Sequence, residues 1–279
     1  MPAGVAGGDQ KYGKIGPVAR TEELFVRRGG GDGGPVLLLL HGLGATGAVW
    51  DGLCALLPDA WPGAWVVPDL PGHGRSAPLG RRYSFGGLAA AVARLVEPDT
   101  PFAVLGHSLG GAVALTLASG WFDGRPSAVA GLGVKVRWTA EELSKAAEIA
   151  ARPPRAFPTR EEAADRALKV AGLAGLVPVD GPLADGAVVP SESGWRLALD
   201  QAAFAVGAPD VDGMLAAARA RVVLAAGERD PMSPLEHLQA LVPDPLVLKG
   251  LGHNAHVEDP TALRPVLDRL AGATEAPGR

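Results

Sequence analysis

Short apolar runs alternate along this chain with longer stretches in which apolar and polar residues follow helical spacing. The run Val36–Leu40 contains only apolar side chains, as is typical of a strand buried on both faces of a parallel sheet. Comparable runs predict strands at 64–68, 102–105, 128–132, 221–225 and 245–248, with an edge strand at 24–28. Helical spacing predicts helices at 87–96, 109–119, 234–241 and 261–270. This order predicts an α/β fold with a mostly parallel central sheet and helices on both faces.

Capping motifs give three further helix starts. Thr139 and Thr159 are each followed three positions later by a glutamate, which is the pattern of a capping box. Ser233 precedes Pro234 and Glu236, so the sequence predicts Ser233 as the N-cap of a helix.

The regular alternation of strand and helix stops between residues 134 and 208. Apolar and polar residues alternate at 195–199, which favours an extended segment after two helices. We interpret 134–208 as a mainly helical cap inserted into the core. The expected organisation is a flexible segment at 1–20, an α/β core at 21–133 and 209–271, the cap at 134–208, and a flexible tail at 272–279.

Composition narrows the classes of partner. The chain has 279 residues, 47% of them hydrophobic, which suits one large α/β domain with an insertion. Its net charge of −4 gives no indication of a nucleic-acid or membrane surface. Cys54 is the single cysteine, so no intramolecular disulfide can form, which favours a cytoplasmic location. We therefore expect a small-molecule substrate, no nucleic acid and no membrane, while the oligomeric state stays open.

The most informative motif is Gly106-His107-Ser108-Leu109-Gly110, which lies between an apolar strand and a helix of small residues. A serine in this strand–turn–helix context projects its hydroxyl above the end of the sheet. The Leu109 amide then begins a helix, where it can stabilise a developing oxyanion. Ser108 is therefore a candidate nucleophile.

Other chemically active residues follow strands whose carboxyl ends share one edge of the sheet. Asp230 follows the strand at 221–225, and His253 follows the strand at 245–248, so the chain order is Ser108, Asp230, His253. Glu228 is the alternative acid and His256 the alternative base. A glycine-rich turn after 36–40 makes the Leu43 amide a candidate second oxyanion donor.

Five stretches together resemble the α/β-hydrolase fold superfamily, in particular its lipase- and esterase-like serine hydrolases. The resemblance covers the core from residue 23 to residue 270 and leaves the insertion unmatched. It implies Ser108 as nucleophile, Asp230 as acid, His253 as base, and the Leu43 and Leu109 amides as oxyanion hole. The matching stretches are His41-Gly42-Leu43-Gly44, Asp69-Leu70-Pro71-Gly72-His73-Gly74-Arg75-Ser76, Gly106-His107-Ser108-Leu109-Gly110-Gly111, Gly227-Glu228-Arg229-Asp230 and Gly252-His253-Asn254-Ala255-His256-Val257-Glu258-Asp259-Pro260.

The resemblance also narrows the reaction. Dehalogenases and epoxide hydrolases of this fold carry aspartate at the elbow, where this chain has Ser108, and hydroxynitrile lyases carry lysine where this chain has Asn254. Cleavage of an ester through an acyl-enzyme is the expected reaction, with thioesters, lactones and C–C bonds left open. The alternative from another class of function is a ligand sensor or a non-hydrolytic biosynthetic catalyst that uses the same pocket.

Trp138, Phe157 and Trp195 are the candidate residues of an apolar substrate pocket in the cap. Four arginines of the cap are candidates for contacting a substrate carboxylate, with solvated helix faces as the alternative: Arg152, Arg155, Arg160 and Arg166. No cluster has metal-ligand spacing and no glycine-rich dinucleotide motif opens the first helix, so neither a metal nor another cofactor is expected.

Overall fold

A seven-stranded sheet forms the centre of the computed structural model, which describes residues 24–31, 33–80 and 82–274. The strands lie in the order β1-β3-β2-β4-β5-β8-β9. β1 is antiparallel to β3, and the other neighbours are parallel, which confirms the predicted mostly parallel sheet. The strands are β1 (Val26–Gly30), β2 (Val36–Leu40), β3 (Ala64–Pro68), β4 (Phe102–His107), β5 (Ala128–Leu132), β8 (Arg221–Gly227) and β9 (Leu246–Leu248), with β6 (Val188–Ser191) and β7 (Gly194–Leu197) forming a separate antiparallel pair.

Ten helices connect the strands in the described part of the chain. The described residues also form three short 3₁₀ helices, at Gly47–Trp50, Gln201–Val206 and Pro260–Leu263. The helices are α1 (Asp51–Ala60), α2 (Phe85–Ala93), α3 (Leu109–Leu117), α4 (Ala140–Ala151), α5 (Arg160–Val170), α6 (Pro182–Asp185), α7 (Val211–Ala217), α8 (Leu235–Gln239), α9 (Ala255–Glu258) and α10 (Arg264–Thr274).

The core has two layers, one on each face of the sheet. Successive leucines of β2 alternate between them: Leu38 and Leu40 join the layer that contains α2 and α3, while Leu37 and Leu39 join the layer that contains α1 and α10. All four leucine side chains are wholly buried, and burial of each contributes about 1.5–3 kcal/mol. This two-sided burial explains why the strand has no polar position. The parallel pairing of β2 with β3 and β4 brings the carboxyl ends of these strands to one edge of the sheet.

The insertion contains more than helices. α4 begins at a complete capping box between Thr139 and Glu142, as predicted, while Thr159 caps α5 through its own side chain alone. The extended segment predicted at 195–199 forms β7, which pairs with β6 as a hairpin. The hairpin is held to the loop before α5 by two backbone hydrogen bonds between Phe157 and Trp195, of 2.7 and 2.9 Å.

Several predicted boundaries are wrong. Ser233 does not cap α8, because its hydroxyl donates instead to the Val134 carbonyl oxygen at 3.0 Å and the N-cap is Pro234. α10 continues to Thr274, beyond the expected core limit at residue 271. Helix α1 was not predicted, and it accommodates Pro58 within its length. The expected flexible segment at 1–20 lies outside the described residues, as does 275–279 of the expected tail.

Candidate active site

Ser108 occupies a strained turn between β4 and α3. Its backbone φ is 49° and its ψ is −110°, an arrangement that side chains rarely adopt and that the surrounding structure must impose. A Cβ at Gly106 would collide with the Gly110 carbonyl oxygen, so the tight turn requires glycine there. Ser108 is the N-cap residue of α3, yet its hydroxyl makes no cap hydrogen bond. The hydroxyl is therefore available for chemistry.

Asp230 and His253 form a hydrogen-bonded pair at the same edge of the sheet. Nδ1 of His253 lies 2.9 Å from Oδ2 of Asp230, whose side chain is fully buried. The amides of Met232 and Ser233 donate to the other oxygen, Oδ1, at 2.8 and 3.3 Å. With both oxygens occupied, the carboxylate has a fixed orientation and holds the imidazole with Nδ1 protonated, which leaves Nε2 as an acceptor.

His107 links this pair to the elbow. Nε2 of His107 donates to the His253 carbonyl oxygen at 2.9 Å, and the two rings lie 4.7 Å apart. Because His107 directly precedes Ser108, the hydrogen bond ties the backbone of His253 to the turn that carries the serine. The Ser108 hydroxyl makes no hydrogen bond to a described residue, and nucleophile–base contacts are often long before substrate binds.

The alternative acid and base lie in different environments. Glu228 is exposed, and its carboxylate accepts from the Gly250 amide at 2.8 Å, so it stabilises the turn after β9. His256 is wholly buried against the Trp50 ring, with 4.5 Å between ring centroids, and neither ring nitrogen has a partner among the described residues. The geometry thus brings Asp230 to His253 and leaves both alternatives without a proton-transfer partner.

The turn after β2 supplies the second candidate oxyanion donor. A Cβ placed on Gly42 would lie 3.5 Å from Cβ of Ser108, so the turn that carries Leu43 passes beside the serine. Across the described residues, neither the Leu43 amide nor the Leu109 amide donates a hydrogen bond to the protein. Two free amides beside one hydroxyl are the elements from which an oxyanion hole is built.

Buried histidines surround these residues. His41 receives a hydrogen bond from the Leu70 amide at 2.8 Å, and its other nitrogen lies 2.8 Å from the Gly42 carbonyl oxygen. Burial lowers the pKa of His41 to about 4, and it lowers the pKa values of His73 and His256 to about 3. Burial, together with His256 and His253, also lowers the pKa of His107 well below its usual range. These four rings are uncharged at neutral pH, and the hydrogen bonds of His41 and His107 hold the neighbouring turns.

The insertion rests directly on the site. Nδ2 of Asn254, the residue after His253, donates to the Ala171 and Gly172 carbonyl oxygens at the end of α5, at 3.3 and 2.9 Å. A Cβ on Gly44 would lie 2.5 Å from Cγ1 of Val170, which places the last turn of α5 against the Leu43 turn. No local pattern in the sequence indicates either contact.

A cavity of about 260 Å³ opens within the insertion. Phe157 lines it, whereas Trp138 and Trp195 are not among its lining residues in the described part of the chain. The Trp138 indole donates to the Lys135 carbonyl oxygen at 3.0 Å, and the half-buried Trp195 packs against the core layer of α1 and α10. Arg166 and Arg196 also line the cavity, and no sequence motif pointed to Arg196.

Within the described residues, no group of three or more His, Cys, Asp or Glu side chains has an arrangement that could hold a metal ion. None of the helices there combines the length and the apolar character needed to cross a bilayer.

Residues 37–266 match the model of the alpha/beta hydrolase family. The chain is 33% identical over 186 residues to the lipase LipV of Mycobacterium tuberculosis strain H37Rv, a match that covers 63% of this chain and 67% of the lipase. The chain belongs to the alpha/beta hydrolase family.

Two further similarities say less about this chain than the match to the lipase does. The chain is 42% identical over 108 residues to the magnesium-chelatase 30 kDa subunit of Rhodobacter capsulatus, covering 38% of this chain and 36% of that protein. The match thus spans about a third of that relative's length. A thioesterase domain from the curacin biosynthetic pathway superposes with a TM-score of 0.71 over 88% of this chain and 94% of that domain. At 22% identity, this likeness shows the fold alone.

Proposed function

We propose that the protein hydrolyses an ester of a small, mainly apolar acid through a Ser108–His253–Asp230 triad. The observation that carries the proposal is the buried Asp230–His253 hydrogen bond of 2.9 Å, tied through His107 to the strained turn of Ser108. The similarity to a lipase over two thirds of that enzyme's length supports ester hydrolysis.

The chemistry follows from the positions of the groups. Nε2 of His253 accepts the Ser108 proton as the serine oxygen attacks the carbonyl carbon, and Asp230 stabilises the resulting imidazolium. The negative charge that develops on the carbonyl oxygen is received by the Leu43 and Leu109 amides. His253 then protonates the leaving alcohol, and the acyl-enzyme remains on Ser108. In the second half of the reaction His253 accepts a proton from water as the water oxygen attacks the acyl carbon, and it returns that proton to the Ser108 oxygen as the acid is released.

We further propose that 134–208 is the cap that selects the substrate. The proposal rests on two contacts already described, from Asn254 to the end of α5 and from Val170 to the turn at Gly44. Each links the insertion to a residue adjoining the candidate triad or oxyanion hole. Specificity in such scaffolds varies through segments at the carboxyl ends of the strands.

A substrate panel tests the reaction. Purified protein is assayed against p-nitrophenyl esters, an acyl thioester, a lactone and a β-diketone of matched chain length. We expect the highest kcat/KM for an ester, with turnover that requires no added metal or cofactor. A higher kcat/KM for the thioester or the β-diketone would reassign the substrate class. Tight binding without turnover of any compound would instead favour the ligand-sensor alternative.

A further inference from the structure

Four exposed arginine side chains of the insertion line the cavity of about 260 Å³, two of them from the loop between α4 and α5. Arg152 follows α4, Arg155 lies in the loop before α5, Arg166 lies on α5, and Arg196 lies on β7. The lining contains no acidic side chain. The whole chain carries 26 basic and 30 acidic residues, so this concentration of positive charge runs against the overall balance of the protein.

Most of this charge is uncompensated. Arg152 lies 3.8 Å from the Glu148 carboxylate, whereas Arg155, Arg166 and Arg196 have no carboxylate partner in the part of the chain that the structure describes. The planar guanidinium of arginine donates two parallel hydrogen bonds to oxyanions such as carboxylate and phosphate. A cavity with several unpaired guanidinium groups therefore favours an anionic ligand.

The cavity wall is ordered by specific contacts. The guanidinium of Arg155 lies over the Phe157 ring at 4.7 Å, and Nη1 of Arg196 donates to the Leu197 carbonyl oxygen at 3.1 Å. With its side-chain amide turned so that the nitrogen faces the loop after α4, Gln201 donates to the Arg152 and Pro153 carbonyl oxygens at 3.1 Å each. These contacts restrain the Arg155 and Arg196 side chains and the backbone at Arg152.

Apart from Gln201, the rest of the lining is apolar, and it includes one residue that also contacts a turn of the candidate active site. Phe157, Leu199 and Phe204 form part of the wall, and so does Val170. Val170 is also the residue that contacts the turn at Gly44, beside Leu43. One side chain thus bounds both the arginine-lined cavity and the candidate oxyanion turn.

We propose that this cavity binds the anionic end of an amphipathic substrate, a carboxylate or phosphate joined by an apolar chain to the ester that Ser108 attacks. This inference deepens the proposed function and rests on it. The arginines receive the anion, the apolar wall receives the chain, and Val170 marks where the chain passes to the Leu43 turn.

The kinetic test compares two p-nitrophenyl esters of equal length, the anionic mono-p-nitrophenyl suberate and its neutral methyl ester. We expect the anionic ester to have the higher kcat/KM, and the ratio of the two values to fall roughly tenfold in the R166Q/R196Q double variant. Higher salt should also lower the ratio, because exposed charges are screened. The matched control is R160Q, since Arg160 lies on the same helix but pairs with Asp185 outside the cavity. Equal kcat/KM values for the two esters, or the same loss in R160Q, would overturn the proposal.

An equilibrium measurement separates this inference from the proposed function. Calorimetry on the S108A variant measures binding of monomethyl suberate, octyl phosphate and neutral dimethyl suberate without turnover. Tighter binding of either anion than of the neutral diester supports the site and identifies the anion. If binding of the anions is tighter while no ester is hydrolysed, the anion site stands and the proposed reaction fails. Equal binding of all three compounds contradicts the anion site.

Discussion

Replacement of Asp230 by asparagine tests how the carboxylate controls the His253 imidazole. In the protein Oδ1 accepts from the Met232 and Ser233 amides, and Oδ2 faces Nδ1 of His253. Asparagine can keep the two amide hydrogen bonds only if its oxygen takes the Oδ1 position. Its NH₂ group then donates to Nδ1, so the imidazole carries its proton on Nε2 and is unable to accept the Ser108 proton.

The size of the effect follows from the alternative orientation. Turning the amide to restore the active tautomer would leave the Met232 and Ser233 amides without an acceptor, and a buried unsatisfied group costs about 1–3 kcal/mol. Two such groups cost about 2–6 kcal/mol, which corresponds to a loss of about 30-fold to about 10⁴-fold in kcat. The upper end agrees with the effect of the equivalent substitution in serine proteases, about 10⁴.

The assay measures kcat for a p-nitrophenyl ester with D230N and with E228Q as the matched control. Glu228 lies two positions away, but its exposed carboxylate bonds only to the Gly250 amide, so we expect kcat within a few-fold of the unmodified protein. Circular dichroism confirms that both variants fold. If E228Q loses more activity than D230N, the assignment of the acid is wrong.

Three other changes have defined outcomes. H256F should make the protein lose less stability in acid. The pKa of His256 in the folded protein is about 3, below the ordinary value of 6.5, so the stability that the neutral ring contributes is fully present above pH 6.5. This contribution is lost as the pH falls from 6.5 toward 3, by about 1.4 kcal/mol per pH unit. Melting temperatures from pH 7.5 to pH 4.5 check this, and an unchanged slope contradicts it. N254A should lower the free energy of unfolding by about 1–3 kcal/mol and raise KM, because two carbonyl oxygens of the insertion lose their hydrogen-bond donor. An unchanged melting temperature and KM would show that these hydrogen bonds do not hold the insertion against the site. F157L should change the preferred acyl chain length, whereas W138L, which alters a residue outside the cavity lining, should not. The measurement is kcat/KM for a series of p-nitrophenyl esters of increasing chain length, and equal shifts in both variants would remove Phe157 from the specificity site.

Much of the sheet is predictable because a strand buried on both faces has an uninterrupted run of apolar residues in the sequence. β2, β3 and β5 have the predicted bounds, since each is an apolar run that ends at polar or glycine residues. β8 continues two residues further than predicted, because β9 pairs with it as far as Gly227. Pairing between distant strands is a tertiary effect, which the local pattern does not contain.

Other features depend on which groups meet across the fold. Ser233 has the sequence of a helix cap, but the Val134 carbonyl, distant along the chain, takes its hydroxyl. Arg166 and Arg196 share a cavity because a helix and a hairpin pack together, and no local spacing indicates this. The residues of the candidate triad, by contrast, could be predicted because each lies in the turn that follows a strand, Ser108 directly after β4 and the other two a few residues after β8 and β9.

Covalent labelling of Ser108 tests the central claim most directly. The protein is treated with a fluorophosphonate, digested, and mapped by mass spectrometry, with S108A treated in parallel. We predict one equivalent of phosphonylation on the peptide that contains Ser108, loss of ester turnover in proportion to labelling, and no labelling of S108A. Labelling of S108A to the same extent, or full ester turnover after Ser108 is modified, would contradict the assignment of Ser108 as the nucleophile.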